Sequence, residues 1–236
     1  MKQFKNTSFS ILKTVVALFA VVLTITACNK NNENTPAPGV AGLALIHAAP
    51  GTPELSFQVN GIKNNIKALT FGKFINYGNI LEGTYSLTVT KKDSTKVLAT
   101  TSSTFKNGKI YSLFIADVPT KTGLTVIEDD LTSPVADKAN VRFVNMSPNA
   151  GILDLSITGQ ATPLFTKTAF KAATAFLAVS PGTEVNFQIN ENTKTEVLAK
   201  IEKVKIEKGK IYTIWAKGLK AATDSTKLSI GMITNK

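Results

Sequence analysis

The chain has 236 residues, with 27 lysine and arginine residues against 16 acids, one histidine and one cysteine. A single cysteine cannot form a disulfide within the chain, and a single histidine disfavours zinc sites and histidine-based catalysis. The folded part must therefore depend on a packed core for its stability.

The first 27 residues have the layout of a secretory signal peptide. Lys2, Lys5 and Lys13 precede the apolar stretch TVVALFAVVLTITA, and no acid appears before Glu33. This stretch has about 14 residues, whereas a membrane-spanning helix needs about 20. The segment therefore suits export better than permanent insertion, and we expect residues 1–27 to be removed.

The sequence ITAC, which ends at Cys28, resembles the lipobox of bacterial lipoproteins. The resemblance implies that Cys28 becomes the first mature residue, with diacylglycerol on its sulfur and usually a further acyl chain, such as palmitate, on its amine. Two or more chains hold a protein firmly in a membrane. Residues 28–39 are polar and lack a hydrophobic period, so we expect a disordered tether. These features predict a lipid-anchored outer-membrane protein that faces the periplasm or the cell surface.

Four sequence blocks recur in order along the remaining chain, about 100 residues apart, and show an internal repeat. The predicted organisation is a first repeat at 40–131, a linker at 132–138 and a second repeat at 139–236. The matched blocks are LALIHAAPGTPELSFQVNG with VRFVNMSPNAGILDLSITG, EGTYSLTV with PGTEVNFQI, VLA with VLA, and NGKIYSLFIA with KGKIYTIWA.

Apolar and polar residues alternate within these blocks, as in half-buried antiparallel strands. In EGTYSLTV and PGTEVNFQI, for example, Tyr85 and Phe187 fall on the apolar side and are predicted to point inward. Turn signals recur about every 8 to 12 residues, which is typical of a sandwich. The sequence therefore predicts an all-β protein of two tandem antiparallel β-sandwiches, each with about seven strands.

The blocks LIHAAPGTPELSFQVNG, LEGTYSLTV, NGKIYSLFIA and LTVIEDDL resemble the family called domain of unknown function 4397 (DUF4397). The resemblance covers nearly all of the chain after the tether and implies an exported bacterial protein with immunoglobulin-like or transthyretin-like sandwiches. The family carries no established activity and no catalytic residues, so none is transferred. The second repeat departs from the pattern, because Asn145 replaces His47 and LSIGMITN replaces LTVIEDDL.

His47, the sole histidine, is the obvious candidate for a general base or a metal ligand. However, Asn145 stands at the equivalent place before a matching proline turn. Neutral histidine and asparagine can both accept and donate hydrogen bonds to a turn. We therefore favour a structural role for both residues.

Glu128, Asp129 and Asp130 form an acidic run near the end of the first repeat, where a Ca²⁺ site is a weak candidate. The run lacks the spacing of a calcium loop, and the second repeat has no counterpart. A solvated linker is the simpler interpretation, and no metal or other cofactor is predicted.

Without the three lysines of the signal, 24 basic residues face 16 acids, a net charge of about +8. Arg142 is the sole arginine, which disfavours nucleic-acid recognition. The lysines suit solvated faces and protected sheet edges, with attraction to anionic glycans or lipid headgroups as the alternative. Trp215 is expected in the core, although stacking on a sugar is the other interpretation.

Asp93-Ser94-Thr95 and Asp224-Ser225-Thr226 lie in predicted turns and resemble an acceptor motif for O-glycosylation in the bacterial periplasm. Ser94, Thr95, Ser225 and Thr226 are the candidate hydroxyls. Ordinary turn chemistry explains the same residues.

These observations predict a non-enzymatic, lipid-anchored envelope protein that acts as a binding, adhesion or scaffold module. Its expected partners are membrane lipid through Cys28, and envelope glycans or another envelope protein. Recognition of a glycan or another anionic polymer is the main alternative. A hydrolase that uses a pair of carboxylates is a weaker one.

Overall fold

The computed structural model describes residues 38–64 and 68–236, and the unit from Pro38 to Lys236 is compact. The described residues contain sixteen strands and no helix. These residues accordingly include no candidate membrane-spanning helix. The predicted all-β fold is confirmed.

The first repeat contributes eight strands in two sheets rather than the seven expected. Their bounds are β1 Val40–His47, β2 Leu55–Val59, β3 Ile62–Lys63, β4 Phe74–Leu81, β5 Gly83–Lys91, β6 Val97–Phe105, β7 Ile110–Ala116 and β8 Gly123–Asp129. One sheet has the order β4-β1-β7-β8 and the other has the order β3-β2-β5-β6.

The second repeat has the same arrangement. Its strands are β9 Ala139–Asn145, β10 Leu153–Ile157, β11 Phe165–Thr168, β12 Leu177–Val179, β13 Gly182–Glu191, β14 Val197–Ile206, β15 Ile211–Lys217 and β16 Ser229–Thr234. The sheets have the orders β12-β9-β15-β16 and β11-β10-β13-β14. The internal similarity of the sequence is therefore a similarity of topology.

One strand pairing in each repeat is parallel, which differs from the all-antiparallel expectation. β1 runs parallel to β7, with Leu43 opposite Tyr111, and β9 runs parallel to β15 in the same way. All four strands are central and buried on both faces, which is the usual setting for parallel pairs. The remaining pairings within the sheets are antiparallel.

A hydrophobic core lies between the two sheets of each repeat, so each repeat is a β-sandwich. Phe187 is fully buried in the second core, and its predicted inward orientation is confirmed. Tyr85 packs against the first core but is only half-buried. The alternating pattern of the sequence therefore gave the correct inner face of β5 and β13.

A third hydrophobic cluster joins the two repeats. It forms between the β4-β1-β7-β8 sheet and the β12-β9-β15-β16 sheet, so the four sheets stack as four layers with the central two back to back. Its buried members are Ala44, Ile46, Ala48, Phe114, Ala116, Val144, Met146, Trp215 and Ile233. The residues of β1, β7, β9 and β15 thus alternate between a sandwich core and this shared cluster.

Trp215 is 1% exposed in the shared cluster, which confirms the expected core position. Its indole lies over Gly231 on the neighbouring strand, where a Cβ atom would come within 2.5 Å of Nε1. Its ring also meets Phe114 of the first repeat edge-on, with 6.1 Å between centroids. The absence of a side chain at Gly231 makes this close packing between the repeats possible.

Candidate functional site

The imidazole of His47 is buried at the end of β1, where it binds a turn. Its Nδ1 accepts a hydrogen bond from the Ala49 backbone N–H at 3.3 Å, and its Nε2 lies 3.3 Å from the Pro53 carbonyl oxygen. Burial lowers the pKa of His47 from 6.5 to about 4, although the contact with the Pro53 carbonyl acts in the opposite direction. Both ring nitrogens are therefore engaged by the local backbone.

Asn145 occupies the same place at the end of β9. Its Oδ1 accepts a hydrogen bond from the Ser147 backbone N–H at 3.1 Å, and its Nδ2 donates to the Gly151 and Thr168 carbonyl oxygens, each at 3.0 Å. The side chain is fully buried. His47 and Asn145 thus make the same contact to the residue two positions further along the chain.

Asp129, the middle residue of the acidic run, lies at the end of β8 with its carboxylate fully buried. Its Oδ2 accepts hydrogen bonds from Tyr77 Oη at 2.6 Å and from Ser112 Oγ at 2.5 Å. Burial, together with the neighbouring Asp129 charge, raises the pKa of Tyr77 to about 12. The interpretation as a solvated linker is therefore wrong for Asp129, because polar groups on neighbouring strands surround it.

The counter-ion of Asp129 comes from the other repeat. Arg142 is 2% exposed on β9, and its Nη1 lies 2.7 Å from Asp129 Oδ1. No hydrogen bond of good geometry reaches this oxygen, so the contact is an ion pair. A chain of three hydrogen bonds then leads from Arg142 back to the first repeat. Arg142 Nε donates to Thr213 Oγ1 at 2.9 Å, and Thr213 Oγ1 donates to Asn235 Oδ1 at 2.8 Å. Asn235 Nδ2 donates to Tyr77 Oη at 2.6 Å. These contacts close a polar ring of Tyr77, Asp129, Arg142, Thr213 and Asn235.

The polar ring uses equivalent positions of the two repeats. Ser112 and Thr213 match in the repeat alignment, and their partners across the strand pair are Ile127 and Ile233. Asp129 and Asn235 each follow two residues later, so Asn235 takes the place of Asp129 in the second repeat. The strand pairing therefore aligns Asn235 of LSIGMITN with Asp129 of LTVIEDDL. This differs by two residues from the alignment that the two sequences suggest when they are compared from their first leucines.

The rest of the acidic run is exposed to solvent. Glu128 pairs with Lys109 at 2.8 Å, and Asp130 accepts a hydrogen bond from the Thr132 backbone N–H at 3.0 Å. Within residues 38–64 and 68–236, no cluster of three or more histidine, cysteine, aspartate or glutamate side chains has metal-binding geometry. The three acids therefore point to different partners.

The two Asp-Ser-Thr turns are at the surface. Asp93, with a φ of 54°, and the two hydroxyl residues after it are exposed between β5 and β6. In the second turn, Asp224 Oδ1 accepts hydrogen bonds from the backbone N–H of Thr226 at 2.9 Å and from its Oγ1 at 2.5 Å. Ser225 is exposed, whereas Thr226 is half-buried.

One cavity lies within the first repeat and another lies beside the polar ring. One, of about 350 Å³, opens between the sheets of the first repeat and has a mainly apolar lining that includes Tyr85. The other, of about 470 Å³, lies beside the polar ring. Its lining includes Phe176, whose ring centroid is 4.8 Å from the guanidinium carbon of Arg142.

The predicted lipidation site, Cys28, lies outside the described residues, as do the predicted signal peptide and most of the predicted tether. The last tether residue, Gly39, already contacts the first repeat. Its carbonyl oxygen accepts a hydrogen bond from the Glu82 backbone N–H at 2.8 Å.

Sequence reasoning missed the polar ring because its members are far apart in the chain. Thr213 and Asn235 carry no motif, and Tyr77 lies outside the repeated blocks. The one available signal was Arg142, a lone arginine inside an apolar strand pattern. A buried arginine in such a place requires a carboxylate partner.

Several solved structures resemble parts of this fold weakly. The C-terminal domain of AlgF from P. aeruginosa has 18% identity and a TM-score of 0.31, and the match covers 42% of this chain and 98% of that domain. The CBM26 module of Eubacterium rectale Amy13K, solved with maltoheptaose, has 9% identity and a TM-score of 0.27, over 84% of this chain and 97% of that one. A candidate cell-adhesion protein from Parabacteroides distasonis has 10% identity and a TM-score of 0.26, and the match covers 85% of this chain and 100% of that protein. Similarities at this level assign no function.

Among curated protein sequences, none matches this chain. A family model does match it over residues 41–156, from β1 through most of β10. The matched segment includes both Asp129 and Arg142. The family is described as domain of unknown function (DUF4397), and the chain belongs to it.

Proposed function

We propose that this protein is a non-enzymatic, lipid-anchored cell-envelope protein whose two sandwiches act as one rigid binding or scaffold unit. The polar ring supports the part of this proposal that treats the two sandwiches as one rigid unit. It ties the two central sheets together with an ion pair whose side chains are 2% and 0% exposed, and its member Tyr77 packs against the shared hydrophobic cluster. Separating the repeats would expose the apolar members of this cluster to water, which is unfavourable, so the repeats are held in one arrangement.

The two buried residues that could act in catalysis, Asp129 and His47, both make structural contacts, which supports a non-enzymatic role. Asp129 uses both oxygens within the ring, and His47 uses both nitrogens in its turn. A general base or nucleophile needs a free lone pair within reach of a substrate. The carboxylate-dependent hydrolase is correspondingly the weakest of the three functions.

The lipid anchor is tested by Cys28→Ala in the native host. We expect the variant to leave the membrane fraction or to accumulate as uncleaved precursor, because the thiol that would accept the lipid is gone. Processing and membrane fractionation like those of the wild type would contradict the proposal. Protease treatment of whole cells, with and without outer-membrane disruption, then distinguishes the cell surface from the periplasm.

Recognition of an anionic glycan is a second candidate, favoured by a group of side chains at the other end of the junction between the repeats. The ammonium of Lys217 lies 5.6 Å from the centroid of the half-buried Phe71 ring, and Lys73 follows two residues after Phe71. Burial and the neighbouring Lys73 charge lower the pKa of Lys217. No acid forms a salt bridge with either lysine in residues 38–64 and 68–236.

Binding of polygalacturonate, an anionic glycan, tests this candidate by calorimetry. Lys73→Ser should weaken binding, whereas Lys200→Ser should not, because Lys200 already pairs with Glu202 at 2.6 Å. Equal binding by both variants would contradict a site at Phe71.

A further inference from the structure

The edge strand β6 has an open backbone edge. It ends the β3-β2-β5-β6 sheet, and no described residue pairs with its outer side. Its nine residues, VLATTSSTF, contain no charge, and their register with β5 is unbroken from Phe105 back to Ala99. At about 3.3 Å per residue, the seven residues in unbroken register give a regular edge of roughly 23 Å with outward-facing N–H and C=O groups.

The equivalent strand of the second repeat, β14, is protected. Its sequence, VLAKIEKVKI, carries Lys200, Lys203 and Lys205, whose side chains are 62%, 76% and 64% exposed. Lys203 has a φ of 55°, where the register with β13 shifts. Charges, especially of lysine, and bulges are the devices that block edge-to-edge pairing. Two copies of one fold thus differ at the same edge.

The other edge strands are less suited to pairing. β3, β11 and β12 have two, four and three residues. The pairing of β4 with β1 is irregular between Leu43 and Leu45, and β8 ends in Glu128 and Asp129. β16 is uncharged, but its unbroken register covers six residues, whereas the unbroken register of β6 covers the seven residues 99–105. β6 is therefore the longest regular and uncharged edge in the described part of the chain.

The outward side chains of β6 suit an antiparallel partner of the same sequence. Thr100 and Thr104 are exposed and already form threonine pairs with β5, at 3.0 Å to Thr88 and 2.8 Å to Thr84. Antiparallel pairing centred on Ser102 places Thr100 of each copy opposite Thr104 of the other and repeats this type of contact. The protein is basic, so two copies approach each other best along an uncharged edge.

We propose that two copies of this chain pair through their β6 strands and form a continuous eight-stranded sheet. The interface is small, so the association is weak and transient in solution. Anchoring on one membrane would favour it, because confinement raises the effective concentration of the partners.

Sedimentation equilibrium of residues 29–236 tests the proposal, since this segment contains the whole described unit. The informative variant is Thr100→Lys/Thr104→Lys, which copies Lys200 and Lys205 of β14 onto β6. We expect a wild-type dimer within concentrations up to about 1 mM, and a dissociation constant at least about tenfold higher for the variant. The control variant, Gln160→Lys/Thr162→Lys, adds the same charge at exposed positions of the second repeat and should dimerise like the wild type.

Hydrogen exchange gives a readout that does not depend on the variants. Amides of β6 should become more protected as the wild-type concentration rises, whereas those of β14 should not. A wild type that stays monomeric up to about 1 mM would overturn the proposal. So would a variant that dimerises as tightly as the wild type, or β6 exchange that is independent of concentration.

Discussion

Arg142 is the sole arginine of the chain and lies in the polar ring between the two repeats. A guanidinium directs several donors from one plane, which lets Arg142 meet Asp129, Thr213 and Ser112 together. The ammonium of a lysine cannot reproduce this geometry. The residue type is therefore explained by its partners within the fold.

Arg142→Met should lower the free energy of unfolding by about 3 to 5 kcal/mol, because Asp129 would remain buried without its counter-ion. Urea denaturation measures this change. Lys200→Met is the matched control, since the pair of Lys200 with Glu202 is 62% and 54% exposed and should contribute no more than about 1 kcal/mol. Equal losses in the two variants would contradict the structural role of the ring.

His47 should make the protein sensitive to acid. Its pKa is about 4 in the fold, against 6.5 when exposed, so between these values the unfolded chain binds more protons. The contribution of His47 is therefore complete above pH 6.5 and is lost as the pH falls towards about 4, by at most about 3 kcal/mol.

His47→Asn isolates this effect, because it installs the residue that Asn145 supplies in the second repeat. We expect the stability difference between wild type and variant to change across the interval from 6.5 to about 4 in urea unfolding. Parallel pH profiles would show that His47 does not titrate on unfolding. The carboxylates, common to both proteins, cancel in this comparison.

The two Asp-Ser-Thr turns predict covalent modification at exposed hydroxyls. We expect Ser94 or Thr95, and Ser225 or Thr226, to carry glycan in the native host. Exposed turns accept bulky groups without disturbing a core. Intact-mass measurement of native protein against cytoplasmic recombinant protein tests this, and a native mass explained by polypeptide and lipid alone would return both turns to ordinary turn chemistry.

Among the strands, those with one face exposed to solvent were predictable from the sequence. Alternation placed the inner faces of β2, β5, β10 and β13 correctly, because one side of each meets a core. The central strands β1, β7, β9 and β15 have apolar residues on both faces. This pattern shows that both faces are buried, but it does not show what packs against the face that points away from the sandwich core. Neither parallel pairing nor the partner of Arg142 can be read from such a pattern, since both depend on contacts between distant segments.

Phe187→Ala tests the packing of β13. The ring is fully buried between the two sheets of the second repeat, so its loss should cost about 3 to 5 kcal/mol in urea unfolding. Val197→Ala on the neighbouring β14 is the control, because Val197 is 44% exposed and should change stability by no more than about 0.5 kcal/mol. A loss under about 1 kcal/mol for Phe187→Ala would show that the ring does not fill the core.

Across the whole molecule, the shared cluster and the polar ring couple the two repeats. We expect one cooperative unfolding transition for residues 29–236, with the fluorescence of Trp215, the sole tryptophan, following the same curve as far-ultraviolet circular dichroism. Phe187→Ala should shift both signals together. Two separated transitions would contradict the coupling and describe independent domains.

The shared cluster also constrains how the chain is made. Until residues 141–233 have followed, the first sandwich leaves Ile46 and Phe114 facing water on a sheet that has no cover of its own. A newly synthesised chain therefore exposes an apolar, aggregation-prone surface for as long as its second half is delayed. A gene shortened after the first repeat would encode a product prone to aggregation rather than half of a working protein.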